Sequence, residues 1–231
     1  MFQTIILAAG RGSRISSITK KIPKPLIKIN NIEVIIRLIK QLNSFDFPNI
    51  TVVLGYKSSL IKERIIEKCS KNIKFEVNKN FEKDNNLLSL KKAINPKNKK
   101  GLIIFEADCI YEIDQIKKIK SSLNNDKSYW YSIGKLKKNQ SGGIILNKNK
   151  VVKEIKIIKE YNKKYRNYKK LIGILKIGKD NLSRYKKYSK QYKDFNLKPY
   201  YLTPWINNLN VLKCELIKLN KKKCFSFNNI K

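Results

Sequence analysis

Two kinds of segment alternate along the first half of the chain: short runs of apolar, β-branched residues, and longer stretches with apolar residues at helical spacing. The runs are typical of buried strands, and the stretches are typical of amphipathic helices that pack on a sheet. Strands are predicted at residues 4–8, 50–54, 73–77 and 101–105, and helices at residues 32–42, 60–69, 85–93 and 113–123. This alternation predicts an α/β fold with a doubly wound, mostly parallel sheet.

The second half of the chain is richer in turn sequences, which join short strands without intervening helices. Strands are predicted at residues 129–133, 143–146, 151–157, 171–177 and 214–219, with a helix at 181–192. Turn residues such as Ser141-Gly142-Gly143 favour antiparallel pairing. We therefore predict a single domain, residues 1–231, in which the first half (1–125) carries the parallel sheet and the second half (126–231) forms a smaller antiparallel lid.

Small residues and positive charges are concentrated after the first predicted strand. The small residues are Ala8, Ala9, Gly10, Gly12 and Ser13, and the cations are Arg11, Arg14 and Lys24. A chain with so little side-chain bulk can turn sharply and bring its backbone N–H groups close to an anion. Lys24 lies between Pro23 and Pro25, which hold the backbone extended and restrict the direction of its side chain. This combination predicts a phosphate-binding loop.

Two well-known phosphate-binding sequences are excluded in this region. A Walker A loop requires G-x-x-x-x-G-K-[ST], which does not occur in the chain. The dinucleotide fingerprint requires a third glycine at the position of Ile15. The alternative interpretation is a tight turn with solvated arginine and lysine side chains. The Pro-Lys-Pro sequence that follows favours the phosphate-binding loop.

The carboxyl ends of the predicted parallel strands bring further residues to the edge of the sheet where ligands bind in doubly wound folds. Gly55 and Tyr56 follow one strand, and Asp108 follows another. A single carboxylate that faces bound phosphates can hold Mg²⁺, because phosphate oxygens and water complete its coordination. Asp108 is the predicted metal ligand, and the alternative is an aspartate that only stabilises a turn. Glu106 is predicted to point to the opposite side of the extended chain and to be the poorer candidate.

Composition removes several functional classes. The chain contains no histidine, which excludes histidine-based triads and metal sites, and its four cysteines show no C-x-x-C spacing, as expected of free thiols in a reducing compartment. We predict a cytoplasmic protein, because no segment is apolar enough to span a membrane and the first strand lacks the basic flank of a signal peptide. The formal net charge of +35 comes mostly from lysines along the whole chain, without a nucleic-acid-binding motif, and predicts nonspecific adhesion to polyanions.

The phosphate-binding loop resembles the opening motif of the nucleoside-triphosphate transferases that make nucleotide-activated sugars and alcohols. That motif, L-A-A-G-x-G-x-R and then P-K-P or P-K-A, stands here as Leu7-Ala8-Ala9-Gly10-Arg11-Gly12-Ser13-Arg14 and Pro23-Lys24-Pro25. The resemblance implies a Rossmann-like fold of the nucleotide-diphospho-sugar transferase type, with a nucleotide-binding first half and an acceptor-binding second half. It also implies nucleotide contacts from residues 7–13, catalytic roles for Arg14 and Lys24, and a metal aspartate at Asp108.

A later string is similar to one branch of this superfamily, the cytidylyltransferases for phosphocholine and aminoethylphosphonate. It reads Asp84-Asn85-Asn86-Leu87-Leu88-Ser89-Leu90 and is preceded by Asn78. In that branch we expect Asn78, Asn85, Asn86 and Ser89 to contact the nucleotide, since an amide can both donate to and accept from a pyrimidine edge. The alternative for Asn85 and Asn86 is a helix cap.

The resemblance fails at the second metal carboxylate, which family members carry late in the chain. The matching stretch here is Tyr200-Tyr201-Leu202-Thr203, which contains no acid. Asp194 is the nearest acidic residue and is the candidate replacement; otherwise Asp108 and the phosphates hold the metal alone. The same departure leaves open a relative that binds nucleotide without turnover.

Together these features predict a Mg²⁺-dependent nucleotidyltransferase that condenses CTP with a small phosphate or phosphonate monoester, of the phosphocholine or 2-aminoethylphosphonate type, and releases pyrophosphate. Aromatic residues in the second half make a choline-type acceptor conceivable, with core packing as the alternative: Trp130, Tyr131, Tyr200, Tyr201 and Trp205. One rival function is a sugar-1-phosphate nucleotidyltransferase that uses UTP, dTTP or CTP, and another is a basic nucleic-acid-binding protein. A homodimer is compatible with either enzyme.

Overall fold

The structure is a computed structural model that describes residues 2–12, 19, 21–69, 72–83, 86–192 and 199–226. Its first half alternates strands with helices, as predicted. Its strands are β1 (Gln3–Ala8), β2 (Lys28–Ile29), β3 (Ile32–Glu33), β4 (Ile50–Leu54), β5 (Lys74–Val77), β6 (Gly101–Glu106) and β7 (Cys109–Tyr111). Its helices are α1 (Val34–Ser44), α2 (Ser58–Lys68), α3 (Leu87–Ala93) and α4 (Ile113–Ser121). The helix predicted at residues 32–42 begins at Val34, because β3 pairs with β2 in a short hairpin.

The second half contains every strand predicted there and two further short elements. Its strands are β8 (Tyr129–Lys135), β9 (Gly142–Lys148), β10 (Val151–Ile158), β11 (Lys169–Gly178), β12 (Glu215–Lys218) and β13 (Cys224–Ser226). Its helices are α5 (Lys179–Ser189) and α6 (Thr203–Ile206). The additions are α6, a single turn, and β13, which pairs with β7. Within the described part of the chain, no helix has the length and apolar character to cross a lipid bilayer.

Nine strands form one mixed sheet in the order β5-β4-β1-β6-β11-β8-β12-β10-β9. The four first-half strands of this sheet, β5, β4, β1 and β6, pair with one another in parallel. In the second half β8 and β12 are parallel, whereas β11 runs antiparallel to β6 and β8, and β10 runs antiparallel to β12 and β9. The prediction of parallel pairing in the first half and mainly antiparallel pairing in the second is therefore correct, except that β12 pairs with β8 in parallel. The antiparallel strands extend the same sheet, and a lid over the acceptor stays a prediction.

Helices cover both faces of this sheet, which explains why its central strands are apolar without alternation. Along β1 the side chains of Ile5 and Leu7 pack on the face covered by α3, α5 and α6, whereas Ile6 and Ala8 pack on the face covered by α1, α2 and α4. All six residues of β1 are buried. A ligand can therefore reach the middle of the sheet only at the edges where its strands end.

The parallel strands of the first half end together at one such edge, which we call the carboxyl edge. The register pairs Leu7 of β1 with Glu106 of β6, so the loops that follow these strands begin next to each other. The loop after β4 is held there as well, since the Tyr56 N–H donates to the Ala9 carbonyl at 3.0 Å. The predicted grouping of the three loops is confirmed.

Candidate active site

The loop after β1 has a backbone geometry that depends on its small residues. Gly12 has a φ of +71°, a left-handed conformation that favours glycine. A Cβ at Gly12 would also lie 3.1 Å from Thr19 Cγ2 and 3.3 Å from Lys24 Cβ. The loop therefore packs directly against the segment that carries Lys24. Ser13 and Arg14, which are the next residues of the predicted phosphate-binding loop, lie outside the described residues.

Gly55 allows the loop after β4 to approach the loop after β1 closely. A Cβ at Gly55 would lie 2.6 Å from the Ala9 carbonyl oxygen and 2.7 Å from Phe81 Cβ. The ring of Tyr56, the next residue, lies beside the Arg11 guanidinium group, 5.6 Å from its central carbon. Cation–π attraction at this distance helps to hold Arg11 at the carboxyl edge. The predicted residues Gly55 and Tyr56 thus adjoin the small-residue loop.

Gly55→Ala should lower the free energy of unfolding by about 1–3 kcal/mol, because the added methyl group forces two backbone segments apart. Gly10→Ala is the matched control in the neighbouring loop, since a Cβ at Gly10 would meet nothing within 4 Å. For this control we expect a change within about 0.5 kcal/mol. Urea unfolding followed by circular dichroism measures both. Equal losses in the two variants would show that the close approach at Gly55 does not matter for stability.

Lys24 and Asp108, 84 positions apart in the chain, form an ion pair at the carboxyl edge. A single 3-10 turn follows the extended Pro23 and buries the two residues after Lys24, which orients the lysine side chain. The Lys24 ammonium group donates to Asp108 Oδ2, and the two side chains are only 11% and 18% exposed. At such burial the solvent screens the attraction less than at a surface pair. Two predicted site residues are therefore in direct contact.

The structure contradicts the prediction that Glu106 points away from Asp108. One oxygen of each carboxylate and the sulfur of Cys109 lie within 4.8 Å of one another. Side chains two residues apart share one side of an extended chain, and the turn at Asp108, directly after the end of β6, keeps the carboxylates together. Glu106 therefore belongs to the site.

Glu106 is enclosed by β11 and by Tyr201. The Tyr201 hydroxyl donates to Glu106 Oε1 at 3.0 Å. On the other side lies Gly173, in an irregular part of β11 with a φ of +56°, and a Cβ there would lie 2.9 Å from Oε2. Burial, and then the negative charge of Asp108, raises the pKa of Glu106 to about 6, whereas the Tyr201 hydrogen bond and nearby lysines act to lower it.

This donor set suits a hard divalent cation. Mg²⁺ takes oxygen ligands, and two carboxylates at this spacing offer them. Burial, and then the charges of Asp108 and Glu106, raise the pKa of the Cys109 thiol well above its usual value, and sulfur is a softer ligand than Mg²⁺ prefers. Gly173 leaves the space that the Glu106 carboxylate fills. The residues present therefore fit a magnesium site.

Comparison with models of protein families shows which family this chain belongs to. The family model described as nucleotidyl transferase matches residues 3–156. The chain belongs to the nucleotidyl transferase family. The matched region contains the small-residue loop, Gly55, Lys24 and both carboxylates of the site.

Two relatives share sequence with parts of this nucleotidyl transferase. A 2-aminoethylphosphonate cytidylyltransferase of Lancefieldella rimae is 32% identical over 114 residues, which are 48% of this chain and 45% of that protein. A protein of Bacillus subtilis named probable glucose-1-phosphate cytidylyltransferase is 32% identical over 65 residues, which are 28% of this chain and 26% of that protein. The matched regions therefore span less than half of the length of these curated relatives.

Solved structures resemble this nucleotidyl transferase over nearly its whole length. The CTP:phosphocholine cytidylyltransferase from Streptococcus pneumoniae has a TM-score of 0.81 at 16% identity, covering 99% of this chain and 94% of that chain. The inositol-1-phosphate CTP transferase from T. maritima has a TM-score of 0.77 at 12% identity, covering 98% and 89%. At these identities the likeness establishes the fold, and the predicted Rossmann-like α/β fold is confirmed.

Tyr201 occupies the stretch in which the sequence resemblance places a second metal carboxylate. Its side chain is buried, and its ring stacks on Trp130 with 5.9 Å between the centroids. Burial raises the pKa of Tyr201 well above its usual value, so the hydroxyl remains a donor to Glu106. Asp194, the other predicted metal ligand of this nucleotidyl transferase, lies outside the described residues.

The asparagines predicted to contact the nucleotide differ in their positions. Asn78 is fully buried, and its amide donates to the Ser89 hydroxyl at 2.9 Å and accepts from the Asn80 N–H at 3.1 Å. Asn78 and Ser89 therefore join the end of β5 to α3 below the surface. Asn86 is half-buried and is the N-cap residue of α3, as the alternative expected, but its side chain makes no capping hydrogen bond. Its side-chain oxygen instead accepts from the Tyr201 N–H at 2.9 Å. Asn85 lies outside the described part of the chain.

Two residues of this site, Gly173 and Lys170, are missed by the sequence reasoning, and Tyr201 is named there only as an aromatic candidate for the acceptor. The Lys170 ammonium group donates to the Gly143 carbonyl at 3.3 Å, and its charge helps to lower the pKa of Glu106. Among so many lysines, no sequence signal marks this one. Gly173 does carry a signal, because a glycine inside a predicted strand often indicates a bulge or a close approach.

Proposed function

We propose that this protein transfers a cytidylyl group from CTP to a small phosphate or phosphonate monoester and releases pyrophosphate. The observation that carries the proposal is the Lys24–Asp108 ion pair beside the small-residue loop. Transfer between two anions requires a cation between them and a carboxylate that can hold a metal ion. Both groups meet here at the carboxyl edge of a fold that belongs to the nucleotidyl transferase family.

The reaction forms one phosphorus–oxygen bond and breaks another. An acceptor oxygen attacks the α-phosphorus of the nucleotide in line with the departing pyrophosphate, whose bridging oxygen takes the electron pair of the broken bond. The acceptor is already ionised at neutral pH, so no general base is required, in agreement with a chain that contains no histidine. The protein's contribution is therefore to align two anions and to offset their repulsion.

We assign these tasks to residues around the carboxyl edge. Backbone N–H groups of residues 9–12 hold the triphosphate, and Arg14 binds its β- and γ-phosphates. Lys24 leaves Asp108 and lies between the α-phosphate and the acceptor, where negative charge is concentrated. Asp108 would hold Mg²⁺, which when bound would supply positive charge beside the phosphates and the leaving group.

A phosphonate acceptor is favoured over a choline acceptor. One relative carries the name 2-aminoethylphosphonate cytidylyltransferase. The choline alternative depends on aromatic faces that are open to a ligand. In the structure Trp130, Tyr201 and Trp205 are at most 2% exposed and pack on one another in the core. These three rings therefore support the core-packing interpretation.

A second candidate acceptor is a sugar-1-phosphate. The relative from Bacillus subtilis, named for glucose-1-phosphate, supports it. The same geometry at Lys24 and Asp108 serves either acceptor, because both present a phosphorus-bound oxyanion to the nucleotide. The two candidates therefore differ in the part of the acceptor beyond the phosphorus.

Pyrophosphate release in the presence of Mg²⁺ tests the proposal. CTP, UTP, ATP, GTP and dTTP are each combined with 2-aminoethylphosphonate, phosphocholine and several sugar-1-phosphates, with Asp108→Asn as the blank. We expect release with CTP and 2-aminoethylphosphonate, and none in the blank. Release with UTP or dTTP and a sugar-1-phosphate alone would replace this function by the rival. Nucleotide binding by calorimetry without turnover on any pair would indicate a relative that has lost activity.

A further inference from the structure

The family that this sequence resembles holds its metal ion with two carboxylates, and the second of them lies late in the chain. This chain has no acid at that place, and its described residues offer one acid that can replace it. Within residues 199–226 the one acidic residue is Glu215. It pairs with Lys127 at 2.6 Å and lies opposite Tyr129 at the start of β8, away from the carboxyl edge. Among the residues that the structure describes, Glu106 is the acid that lies beside Asp108 and can take the place of the late carboxylate.

The surroundings of Glu106 prepare its carboxylate for a ligand. Tyr201, at the matching position of the missing acid, donates to Oε1 and so orients the group. Gly173 leaves room for Oε2, because any side chain there would begin 2.9 Å from that oxygen. A residue from the late segment thus positions an acid from β6.

The negative charges of Glu106 and Asp108 also favour the binding of a cation between them. Two partly buried carboxylates within 4.8 Å repel each other unless a positive charge compensates them. In the structure the Lys24 ammonium group lies against Asp108, but in the proposed reaction Lys24 moves to the phosphates. A Mg²⁺ ion with metal–oxygen distances of about 2.1 Å can bind oxygens up to about 4.2 Å apart. A small movement would therefore allow one ion to bind both acids.

We propose that Glu106 is the second carboxylate ligand of the divalent cation in this protein, positioned by Tyr201. The inference rests on the proposed function, because the cation enters the site as the companion of the nucleotide. This proposal replaces Asp194 by Glu106 as the second metal ligand. If Glu106 is the ligand, its substitution weakens metal binding; if Asp194 is the ligand, Asp194→Asn does so instead.

Binding of Mn²⁺, a spectroscopic substitute for Mg²⁺, tests the proposal without any turnover. Free Mn²⁺ is measured by electron paramagnetic resonance in the presence of the full chain and a CTP analogue with a non-hydrolysable α,β-methylene bridge. The variants are Glu106→Gln, Glu106→Asp, Asp108→Asn and Asp194→Asn. Glu154→Gln is the matched control, because Glu154 also accepts a hydrogen bond from a tyrosine hydroxyl, that of Tyr168.

We expect Glu106→Gln and Asp108→Asn each to weaken Mn²⁺ binding at least about tenfold, with Glu154→Gln and Asp194→Asn unchanged. Glu106→Asp keeps the negative charge on a side chain that is one methylene group shorter, and should weaken Mn²⁺ binding less than Glu106→Gln does. Circular dichroism and the melting temperature of this variant should match those of the wild type. Wild-type affinity in both Glu106 variants, or a loss in Asp194→Asn in their place, would overturn the proposal.

Failure of this inference can be told from failure of the proposed function. If the wild type releases pyrophosphate and Glu106→Gln binds Mn²⁺ normally, only the ligand assignment is wrong. If the wild type binds no Mn²⁺ with the nucleotide analogue and turns over no pair of substrates, both are wrong.

Discussion

Replacing Lys24 with methionine should lower kcat for pyrophosphate release by about 10²–10³-fold, the loss typical when one electrostatic contact to the reacting charge is removed. Methionine keeps the unbranched stem, so the packing of Gly12 against this side chain is retained. The ammonium group is lost, and with it the positive charge that is paired with Asp108 in the structure. In the reaction the same charge has to offset the repulsion between the nucleotide and the acceptor.

Separate values of kcat and KM for Lys24→Met distinguish this effect from weaker ground-state binding. Lys118→Met is the control, because Lys118 is an exposed lysine of α4 that donates to the Lys218 carbonyl at 2.8 Å. We expect the control to keep the wild-type rate. A loss of less than tenfold for Lys24→Met would refute the role of Lys24 between the two anions.

Asp108→Asn should reduce the rate by a similar factor, about 10²–10³-fold, and should raise the Mg²⁺ concentration needed for the remaining activity. Asparagine has nearly the same shape but no negative charge. Its oxygen is therefore a weaker ligand for Mg²⁺, and the ion pair with Lys24 is replaced by a hydrogen bond from the charged ammonium group to a neutral amide oxygen. Both changes act on the charges that the proposed reaction uses.

Rates of pyrophosphate release over a Mg²⁺ titration at saturating CTP provide the measurement. Asp114→Asn is the control, because Asp114 pairs with Lys223 at 2.8 Å on the surface, with about half of its side chain exposed. This control should follow the wild-type titration. If Asp108→Asn also followed it, the metal ion would have to be held by other residues.

The sequence predicts the surroundings of the site better than its interior. The small-residue loop, Gly55 and Asp108 are each recognised from neighbours in the chain: a preceding apolar run, a lack of side-chain bulk, or a strand end. Such features depend on a few consecutive residues and are visible without the fold. The register of β1 and β6 then brings these loops together as the parallel sheet requires.

The interior of the site depends on contacts between distant parts of the chain. Tyr201 reaches Glu106 over 95 positions, and its role follows from the packing of the late segment against Trp130. Glu106 itself is misassigned because the direction of one side chain at a strand end is decided by the turn that follows and by its neighbours. Glu106 is ranked low from the sequence and lies in the site, whereas Asn78 is selected because an amide suits base recognition and is fully buried by the fold.

The sequence by itself determined most of the secondary structure, the family, the position of Asp108 after a strand and the placing of Lys24 between two prolines, because periodicity, turn chemistry and motif spacing act over short stretches of chain. Only the tertiary structure decided that β11 joins the sheet antiparallel to β6 and that Glu106, Gly173 and Tyr201 meet there. Strand order and side-chain pairing minimise the free energy of the whole core at once, and no local pattern records that choice.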